Sequence, residues 1–248
     1  MASWIGQSLR RGILTTHYPT QDATTAEVPA TARPPAPRDG PGGLAVGIDT
    51  CPVRAITQDG VDQGKCIRCA RCVPQGFAFS GPVESSALNA DALVTSGPSV
   101  GTRTQLEAPL REFGRSLHLF MIDVGSCNAC NLEVLALSSP FYDSQRLGIF
   151  FTNSPRHADV LLVVGTPTVE MLEPLRRAYD ALPEPKRVVA VGACPISGGA
   201  FAGTSGLVGP LAAVLRVDLF IPGCPPTPVQ VLDGLLMLTG RARRTDGF

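Results

Sequence analysis

From Leu117 onward, short runs of apolar residues alternate with longer stretches in which apolar residues recur at helical spacing. The apolar runs are "LHLFMID", "LGIFF", "DVLLVVG", "RVVAVGA" and "VDLFIPG", and the helical stretches include "TVEMLEPLRRAYDAL" and "PVQVLDGLLMLTG". Strands that are apolar on both faces belong to a parallel sheet covered on both sides. The pattern therefore predicts an α/β fold over residues 117–248, a mainly parallel sheet with helices on both faces.

The first 43 residues show a different pattern. Residues 1–18 place Trp4, Ile5 and Leu9 at roughly helical spacing, which predicts a short amphipathic helix. Its apolar face could pack against the same chain or dock on a partner or a membrane surface, and the spacing does not choose between these. Residues 19–43 include "PATARPPAPRDGPGG", a composition typical of a linker.

Composition and charge exclude several classes of protein. The 248 residues include 21 Lys and Arg and 21 Asp and Glu, so the formal net charge is zero and nothing favours binding to nucleic acid. The longest apolar runs are far shorter than a membrane span, and Arg10 and Arg11 are not followed by the apolar stretch of an export signal. We therefore expect a cytoplasmic protein whose eight cysteines are ligands or catalytic groups rather than disulfides.

Four of the cysteines lie in a compact segment, residues 44–81, which a polar stretch, residues 82–116, separates from the α/β region. They are Cys51, Cys66, Cys69 and Cys72. In the C-x2-C-x2-C-x3-C-P runs of bacterial ferredoxins, three cysteines serve one cubane cluster and the last serves the other. The positions that would complete a second cluster, Gly76 among them, hold no cysteine here. The segment resembles a small α+β ferredoxin-like domain that keeps the ligands of a single 4Fe-4S cluster.

The other four cysteines follow predicted strands. Cys127 and Cys130 come after "LHLFMID", Cys194 after "RVVAVGA" and Cys224 after "VDLFIPG". Because the carboxyl ends of parallel strands lie at one edge of a sheet, these distant cysteines are expected to converge there. Four thiolates at one edge could hold a second cubane cluster.

Four motifs in this half of the chain bear a resemblance to a known family. They are "CNACNLE", "SPRHADVLLVVG", "GACPISGGAF" and "IPGCPPTP". The region resembles the small, electron-transfer subunit of nickel-iron hydrogenases and its relative in proton-pumping NADH:quinone oxidoreductase, which implies a flavodoxin-like sheet. In that quinone oxidoreductase relative the first two cysteines are adjacent. The two residues between Cys127 and Cys130 place this chain nearer the membrane-bound hydrogenases of the formate hydrogenlyase type.

The resemblance implies electron transfer through two 4Fe-4S clusters, with no bond-making chemistry on this chain. The carboxyl-terminal cysteines would hold the cluster proximal to a nickel-iron site in a catalytic large subunit, and Glu133 matches a family glutamate that could relay protons. The amino-terminal half, from "WIGQSLRRGILTTHYP" onward, resembles the ferredoxin-type subunit of these complexes. Integral membrane subunits and an electron-donating iron-sulfur or dehydrogenase subunit are the other expected partners. They would place the chain peripherally on the inner face of the cytoplasmic membrane.

Several alternatives stay open. A related complex whose large subunit has lost its nickel ligands would use the same chain in quinone or ion-pumping chemistry. Zinc could occupy both cysteine sets. Cys127 and Cys130 could form a thioredoxin-like dithiol, which would leave Cys194 and Cys224 unexplained. Glu133 could equally be a solvated or salt-bridged carboxylate. The glycines of "GACPISGGAF" match neither phosphate-loop pattern and are expected to let the backbone approach a cluster.

Overall fold

A computed structural model describes residues 6, 7, 10, 12, 14–38, 43–95 and 116–241. Within these ranges the strands are β1 Pro35–Pro37, β2 Val61–Asp62, β3 Phe77–Phe79, β4 Val94–Thr95, β5 Leu117–Asp123, β6 Ile149–Phe151, β7 Val160–Val164, β8 Arg187–Val191 and β9 Leu219–Ile221. The α-helices are α1 Leu44–Gly47, α2 Ala129–Ala136, α3 Leu172–Ala181, α4 Ala193–Ser197 and α5 Pro228–Leu238. Single 3-10 turns cover Ala30–Ala32, Val73–Gln75, Asp91–Leu93, Ser144–Leu147, Pro155–His157, Gly199–Phe201 and Leu211–Ala213.

Strands β5 to β9 form a five-stranded, fully parallel sheet in the order β6-β5-β7-β8-β9. Counted along the chain this order is 2-1-3-4-5, the doubly wound arrangement of flavodoxin. Each of the five apolar runs supplies one strand. The α/β fold and its flavodoxin-like sheet are thus confirmed.

Helices cover both faces of this sheet, as the continuous apolar strands predict. Along β7, Leu162 and Val164 join the core cluster that contains α2 and α5, whereas Leu161 and Val163 join the cluster that contains α3 and α4. All five residues of β7 are buried. Hydrophobic burial on both faces fixes the strand register, because a slip of one residue would exchange the two sets.

The amino-terminal segment, residues 14–38, packs on the outer side of α5, every residue of which is buried. Val28 is fully buried in the same core cluster as α5, and the Tyr18 hydroxyl donates a 2.6 Å hydrogen bond to Asp233. The composition of residues 19–43 predicts a linker, but the described part of that stretch is packed. The physical reason is that a few apolar residues among the prolines and alanines suffice to cover a helix whose outward side is also apolar.

The cysteine-bearing segment, residues 44–81, has a small core of its own made by Leu44, Ile56, Val61 and Phe77. Its strands pair outside the predicted boundaries: β3 is antiparallel to β1, and β2 is antiparallel to β4. The flanking stretches therefore complete this unit, which spans residues 35–95. Its likeness to a ferredoxin stays a prediction.

Two further expectations concern the ends of the predicted domains. Most of the helix predicted over residues 1–18, and residues 96–115 of the predicted lead-in, lie outside the described residues. Ala87, which belongs to that lead-in, exchanges backbone hydrogen bonds of 3.0 and 2.8 Å with Phe220 of β9. Among the helices that the structure describes, none is both long and apolar enough to cross a bilayer.

Candidate metal centre

The four carboxyl-terminal cysteines lie in the loops and first helical turns that follow β5, β8 and β9, at the carboxyl edge of the sheet. Cys130 and Cys194 are buried, Cys224 is half-buried and Cys127 is exposed. All eight cysteines of the chain are free of disulfides. All four lie at the edge where the sequence predicts them, and their convergence on one cluster stays a prediction.

The loop that presents Cys127 and Cys130 is held by Asp123, the last residue of β5. The Asp123 carboxylate accepts hydrogen bonds from the backbone N–H groups of Gly125 and Ser126, both at 2.9 Å, and from the Ser126 hydroxyl at 2.6 Å. Asn131 donates to the same carboxylate from the first turn of α2. Burial alone would raise the pKa of Asp123, but these donors outweigh it and the pKa is lowered. An ionised Asp123 therefore fixes both ends of the loop.

Glycine allows the end of β8 to approach the Cys130 thiol closely. Gly192 has a φ of 95°, and a Cβ at this position would lie 2.6 Å from the Cys130 Sγ. Cys194 follows in the first turn of α4, where Thr166 donates a 3.2 Å hydrogen bond to its carbonyl. Any side chain at position 192 would push Cys130 away from the neighbouring cysteine loop.

Cys224 is brought to the same edge by the turn after β9. The Gly192 N–H donates to the Ile221 carbonyl and the Ala193 N–H donates to the Gly223 carbonyl, each at 2.8 Å. These two bonds tie the residues just before Cys194 to the residues just before Cys224. Backbone hydrogen bonds thus hold the two loops together.

Electrostatic coupling among the thiols shows their proximity. Burial and, after it, the charges of Cys194, Cys224 and Cys127 together raise the pKa of Cys130 to about 12. Burial also raises the pKa of Cys224 to about 11, again with contributions from Cys194 and Cys127. A cluster of thiolates that repel one another in a half-buried site needs a positive group to stabilise it, and metal ions are the usual choice.

The other four cysteines line a single pocket of about 370 Å³, a volume that includes its open mouth. Cys51 comes from the turn after α1, and its Sγ accepts a 3.2 Å hydrogen bond from the backbone N–H of Ala55. Cys66, Cys69 and Cys72 come from the loop between β2 and β3, in which the intervening Arg68 and Ala70 have positive φ. The structure therefore places Cys51, Cys66, Cys69 and Cys72 around one space, as the sequence predicts.

The donor sets can be compared with the metal groups that they would hold. In the described part of the chain, no three or more His, Cys, Asp or Glu side chains are arranged to bind a single metal ion. A 4Fe-4S cubane makes a different demand, which is one thiolate for each of four irons. Each set offers four cysteines, with the Ala55 N–H donating to Cys51 in one and the Thr166 hydroxyl beside Cys194 in the other, so the chemistry of the donors fits a cubane.

Glu133 lies half-buried on α2, one turn beyond Cys130, and burial raises its pKa above the ordinary value. Its charge contributes to the raised pKa of Cys130, which places it next to the carboxyl-terminal set. The proton-relay role suggested by the family resemblance stays a prediction.

Sequence reasoning missed three residues that shape these sites. Asp123 was read only as the end of a strand, and the signal that could have found it is an Asp followed three residues later by a Ser. Thr166 at the end of β7 has no motif to mark it. Arg68 stands between two cysteines in "CIRC", where a charged residue is an evident signal because it must lie beside the thiols.

The open parallel sheet, in the order 2-1-3-4-5, defines the class of this chain: a doubly wound α/β protein, in which ligands bind at the carboxyl edge of the strands. A family model matches residues 127–238, and it is the model of the NADH ubiquinone oxidoreductase 20 kDa subunit. "Probable membrane-bound hydrogenase subunit mbhJ" of Pyrococcus furiosus is 44% identical over 124 residues, which are 50% of this chain and 74% of that protein. "Formate hydrogenlyase subunit 7" of Escherichia coli is 42% identical over 131 residues, 53% of this chain and 51% of that protein.

A chain of the membrane-bound sulfane sulfur reductase, an archaeal respiratory membrane complex, is 33% identical, covers 52% of this chain and 73% of its own, and has a TM-score of 0.46. From the sequence relatives and the family model, the chain belongs to the family of the NADH ubiquinone oxidoreductase 20 kDa subunit. The matched region contains all four carboxyl-terminal cysteines.

Proposed function

We propose that the chain is the electron-transfer subunit of a membrane-associated nickel-iron hydrogenase complex of the formate hydrogenlyase type. The observation that carries this proposal is the placement of Cys127, Cys130, Cys194 and Cys224 directly after strands β5, β8 and β9, at the carboxyl edge of the parallel sheet. Family membership and the two hydrogenase relatives support the same assignment. The bound group would be a 4Fe-4S cluster, which supplies one-electron transfer.

A second 4Fe-4S cluster would be held by Cys51, Cys66, Cys69 and Cys72 in the pocket of the amino-terminal unit. The two units are joined close to the cysteines, because the Ser197 hydroxyl at the end of α4 donates a 2.9 Å hydrogen bond to the Gly64 carbonyl. The charges of Cys66 and Cys224 also act on each other. A short path between the clusters would let the chain pass single electrons between an electron donor at one unit and a catalytic partner at the other.

The exposed side of the carboxyl-terminal set offers a surface for the catalytic large subunit. Leu132 and Leu135 are 61% and 54% exposed on α2, and Phe141 is 43% exposed just beyond it. Residues three apart on a helix share a face, so the two leucines flank the loop of Cys127 together. Large apolar side chains in this position are typical of a surface that a partner covers. The partner would shield the exposed Cys127 and receive electrons there.

The remaining partners follow from the same proposal. Integral membrane subunits would hold the complex, with this chain peripheral on the inner face of the cytoplasmic membrane, and an iron-sulfur or dehydrogenase subunit would supply electrons. The matching family model favours a second candidate, a subunit of a quinone-reducing or ion-pumping complex without nickel chemistry. The two candidates share the role of this chain and differ in its catalytic partner.

An anaerobic metal analysis of the native complex, isolated through an affinity tag on this chain, tests the proposal. We expect about eight irons from each copy of this chain, further iron from partners, and one nickel per complex. Electron paramagnetic resonance of the reduced complex should show cubane signals that disappear in part when Cys69 or Cys194 is replaced by Ala.

Each other result has a defined meaning. Iron without nickel would reject the hydrogenase assignment in favour of the quinone or ion-pumping complex. Zinc in place of iron would reject electron transfer by this chain altogether. A colourless, iron-free complex that still evolves hydrogen would show that the catalytic partner does not need clusters on this chain.

A further inference from the structure

Arg68 lies between Cys66 and Cys69, and its guanidinium points into the protein. Its Nη1 donates a hydrogen bond to the Ala32 carbonyl. Its Nε and Nη2 are shielded from solvent and have no hydrogen-bond partner among the described residues. A buried guanidinium with two unused donors is costly, because each unpaired polar group loses its hydration without compensation. Such an arrangement indicates a missing acceptor.

The carbonyl that holds Arg68 also accepts a hydrogen bond from the start of α5, the helix that follows Cys224. Gln230, in the first turn of α5, donates a 3.2 Å hydrogen bond from Nε2 to the same Ala32 carbonyl. Gln230 is fixed in turn by a capping box with Thr227, which begins three residues after Cys224. Arg68 is therefore anchored at the junction of the two units, on the side where the chain turns from β9 into α5.

The charge of Arg68 acts on one cysteine from each set. Burial raises the pKa of Cys66 and of Cys224, and the guanidinium opposes the rise at both thiols. The reverse effect is also present, since both thiols favour the charged form of Arg68 against its burial. These directions agree with the geometry, which places the guanidinium two residues after Cys66 and anchors it at Ala32 together with Gln230, at the start of the helix after Cys224.

Resting on the function proposed above, we infer that Arg68 is a positioning residue that bridges the two clusters, with its free N–H groups donating to sulfur atoms on both sides. Arginine suits this task because its planar fork presents several donors in fixed directions and stays charged when buried. Hydrogen bonds and positive charge near the sulfurs stabilise the reduced, more negative cluster. Arg68 should therefore raise the reduction potentials of both clusters together.

A purely structural role would have a different signature. If Arg68 served only to hold the turn Ala30–Ala32 in place, its loss would lower the unfolding temperature and leave both potentials unchanged. The potentials of the two clusters are therefore the decisive measurement, and enzyme activity is not needed as a readout.

The experiment is an anaerobic redox titration of the intact complex, followed by electron paramagnetic resonance, for the wild type and three variants. In Arg68→Gln we expect the midpoint potentials of both clusters to shift to more negative values. Arg68→Lys keeps the charge but not the fork, so it should recover part of the shift. Arg54→Gln is the matched control: Arg54 is exposed near Cys51 and has a φ of 52°, against 55° for Arg68. It should leave both potentials at the wild-type values.

Several results would overturn the inference. Unchanged potentials in a fully loaded Arg68→Gln complex would reduce Arg68 to a structural role, and a shift at only one cluster would contradict the bridge. If Arg68→Gln loses iron, Arg68→Lys decides: negative shifts of both potentials support the bridge, and a shift at one cluster only, or at neither, rejects it. A wild-type complex without two redox-active cubanes would instead overturn the proposed function, and the inference with it.

Discussion

At the scale of single residues, the loop of Cys127 and Cys130 is shaped by hydrogen bonds that need no bound metal. Asp123 collects donors from Gly125, Ser126 and Asn131, and Asn131 also donates to the Asn128 Oδ1 at 3.0 Å. Asn128 has a φ of 72°, a left-handed conformation that asparagine tolerates better than most residues. The two cysteines are thereby oriented in advance, which lowers the entropic cost of binding a cluster.

Asp123→Asn should loosen this loop, because the amide keeps the size of the carboxylate but not its charge. We expect a loss of about 1 kcal/mol in the free energy of unfolding, at the low end for bonds to a charged group since the carboxylate is partly solvated. The folded-state pKa of Asp123 is lowered below the ordinary 3.8, so its stabilisation is present above that value and is lost as the pH falls through the folded pKa. Wild type and variant should therefore differ at pH 7 and converge in acid.

Urea unfolding as a function of pH checks this prediction. Asp59→Asn is the control, since Asp59 is an exposed turn residue and its replacement should cost almost nothing. Equal effects of the two substitutions at pH 7 would contradict the assigned role of Asp123.

Two cysteine substitutions separate the two proposed clusters. If the proposed function holds, Cys194→Ala should lower hydrogenase activity with artificial dyes at least tenfold, because it would remove a ligand of the cluster beside the catalytic partner. The amino-terminal cluster should remain detectable. Cys69→Ala should impair electron delivery from the physiological donor more than dye-linked activity. Paired activity assays and electron paramagnetic resonance check both. Full dye-linked activity in Cys194→Ala would show that the carboxyl-terminal set does not hold the proximal cluster.

At the scale of elements, the site depends on how strand ends meet helix starts. The joint between β8 and α4 is tight, because Gly192 lies against the Cys130 thiol and donates to the Ile221 carbonyl in the turn after β9. One backbone position thus sets the spacing of three cysteine loops. A longer side chain there would disturb them together.

Gly192→Ala should destabilise the protein by about 1 to 3 kcal/mol and reduce its iron content, since the added Cβ would lie 2.6 Å from the Cys130 Sγ. Gly209→Ala is the matched control: its φ is 112°, similar to the 95° of Gly192, but a Cβ there meets nothing within 4 Å. Thermal unfolding and iron analysis of both variants separate the effect of the Cβ–Sγ contact at position 192 from the effect of backbone strain at a positive φ, which both variants share. The prediction fails if Gly209→Ala loses as much iron as Gly192→Ala.

The strands of the parallel sheet could be predicted from the sequence, but the packing of the amino-terminal segments could not. "LHLFMID" matches β5 residue for residue, and within "DVLLVVG" all five residues of β7 are buried, as a strand that is apolar on both faces predicts. Convergence of the carboxyl-terminal cysteines follows from the same topology. The pairing of β1 with β3 could not be predicted, because Pro35 and Pro37 disfavour a strand. Residues 35–37 form one only through their pairing with β3. The position of Arg68 in "CIRC" places a charge beside the thiols, but only the tertiary packing buries its guanidinium.

At the scale of the whole molecule, the amino-terminal segment forms hydrogen bonds with both cysteine-bearing units. Ala32 accepts hydrogen bonds from both Arg68 and Gln230, and Arg146 donates to the Thr16 and Tyr18 carbonyls from the far side of α5. Glu27, which is buried, accepts from Thr16 and Thr24. The segment is therefore part of the fold that positions the two sites.

Val28→Ala tests whether the amino-terminal segment contributes to stability as its packing implies. Val28 is fully buried against α5, so removal of two methyl groups should cost about 2 kcal/mol and lower the unfolding temperature by about 5 °C. Val169→Ala makes the same chemical change at a site that is 57% exposed and should shift the unfolding temperature by less than about 2 °C. If both variants have the unfolding temperature of the wild type, residues 19–43 behave as the linker that their composition predicts. The junction at Ala32 would then have to be held by Arg68 and Gln230 alone, without support from the rest of the segment.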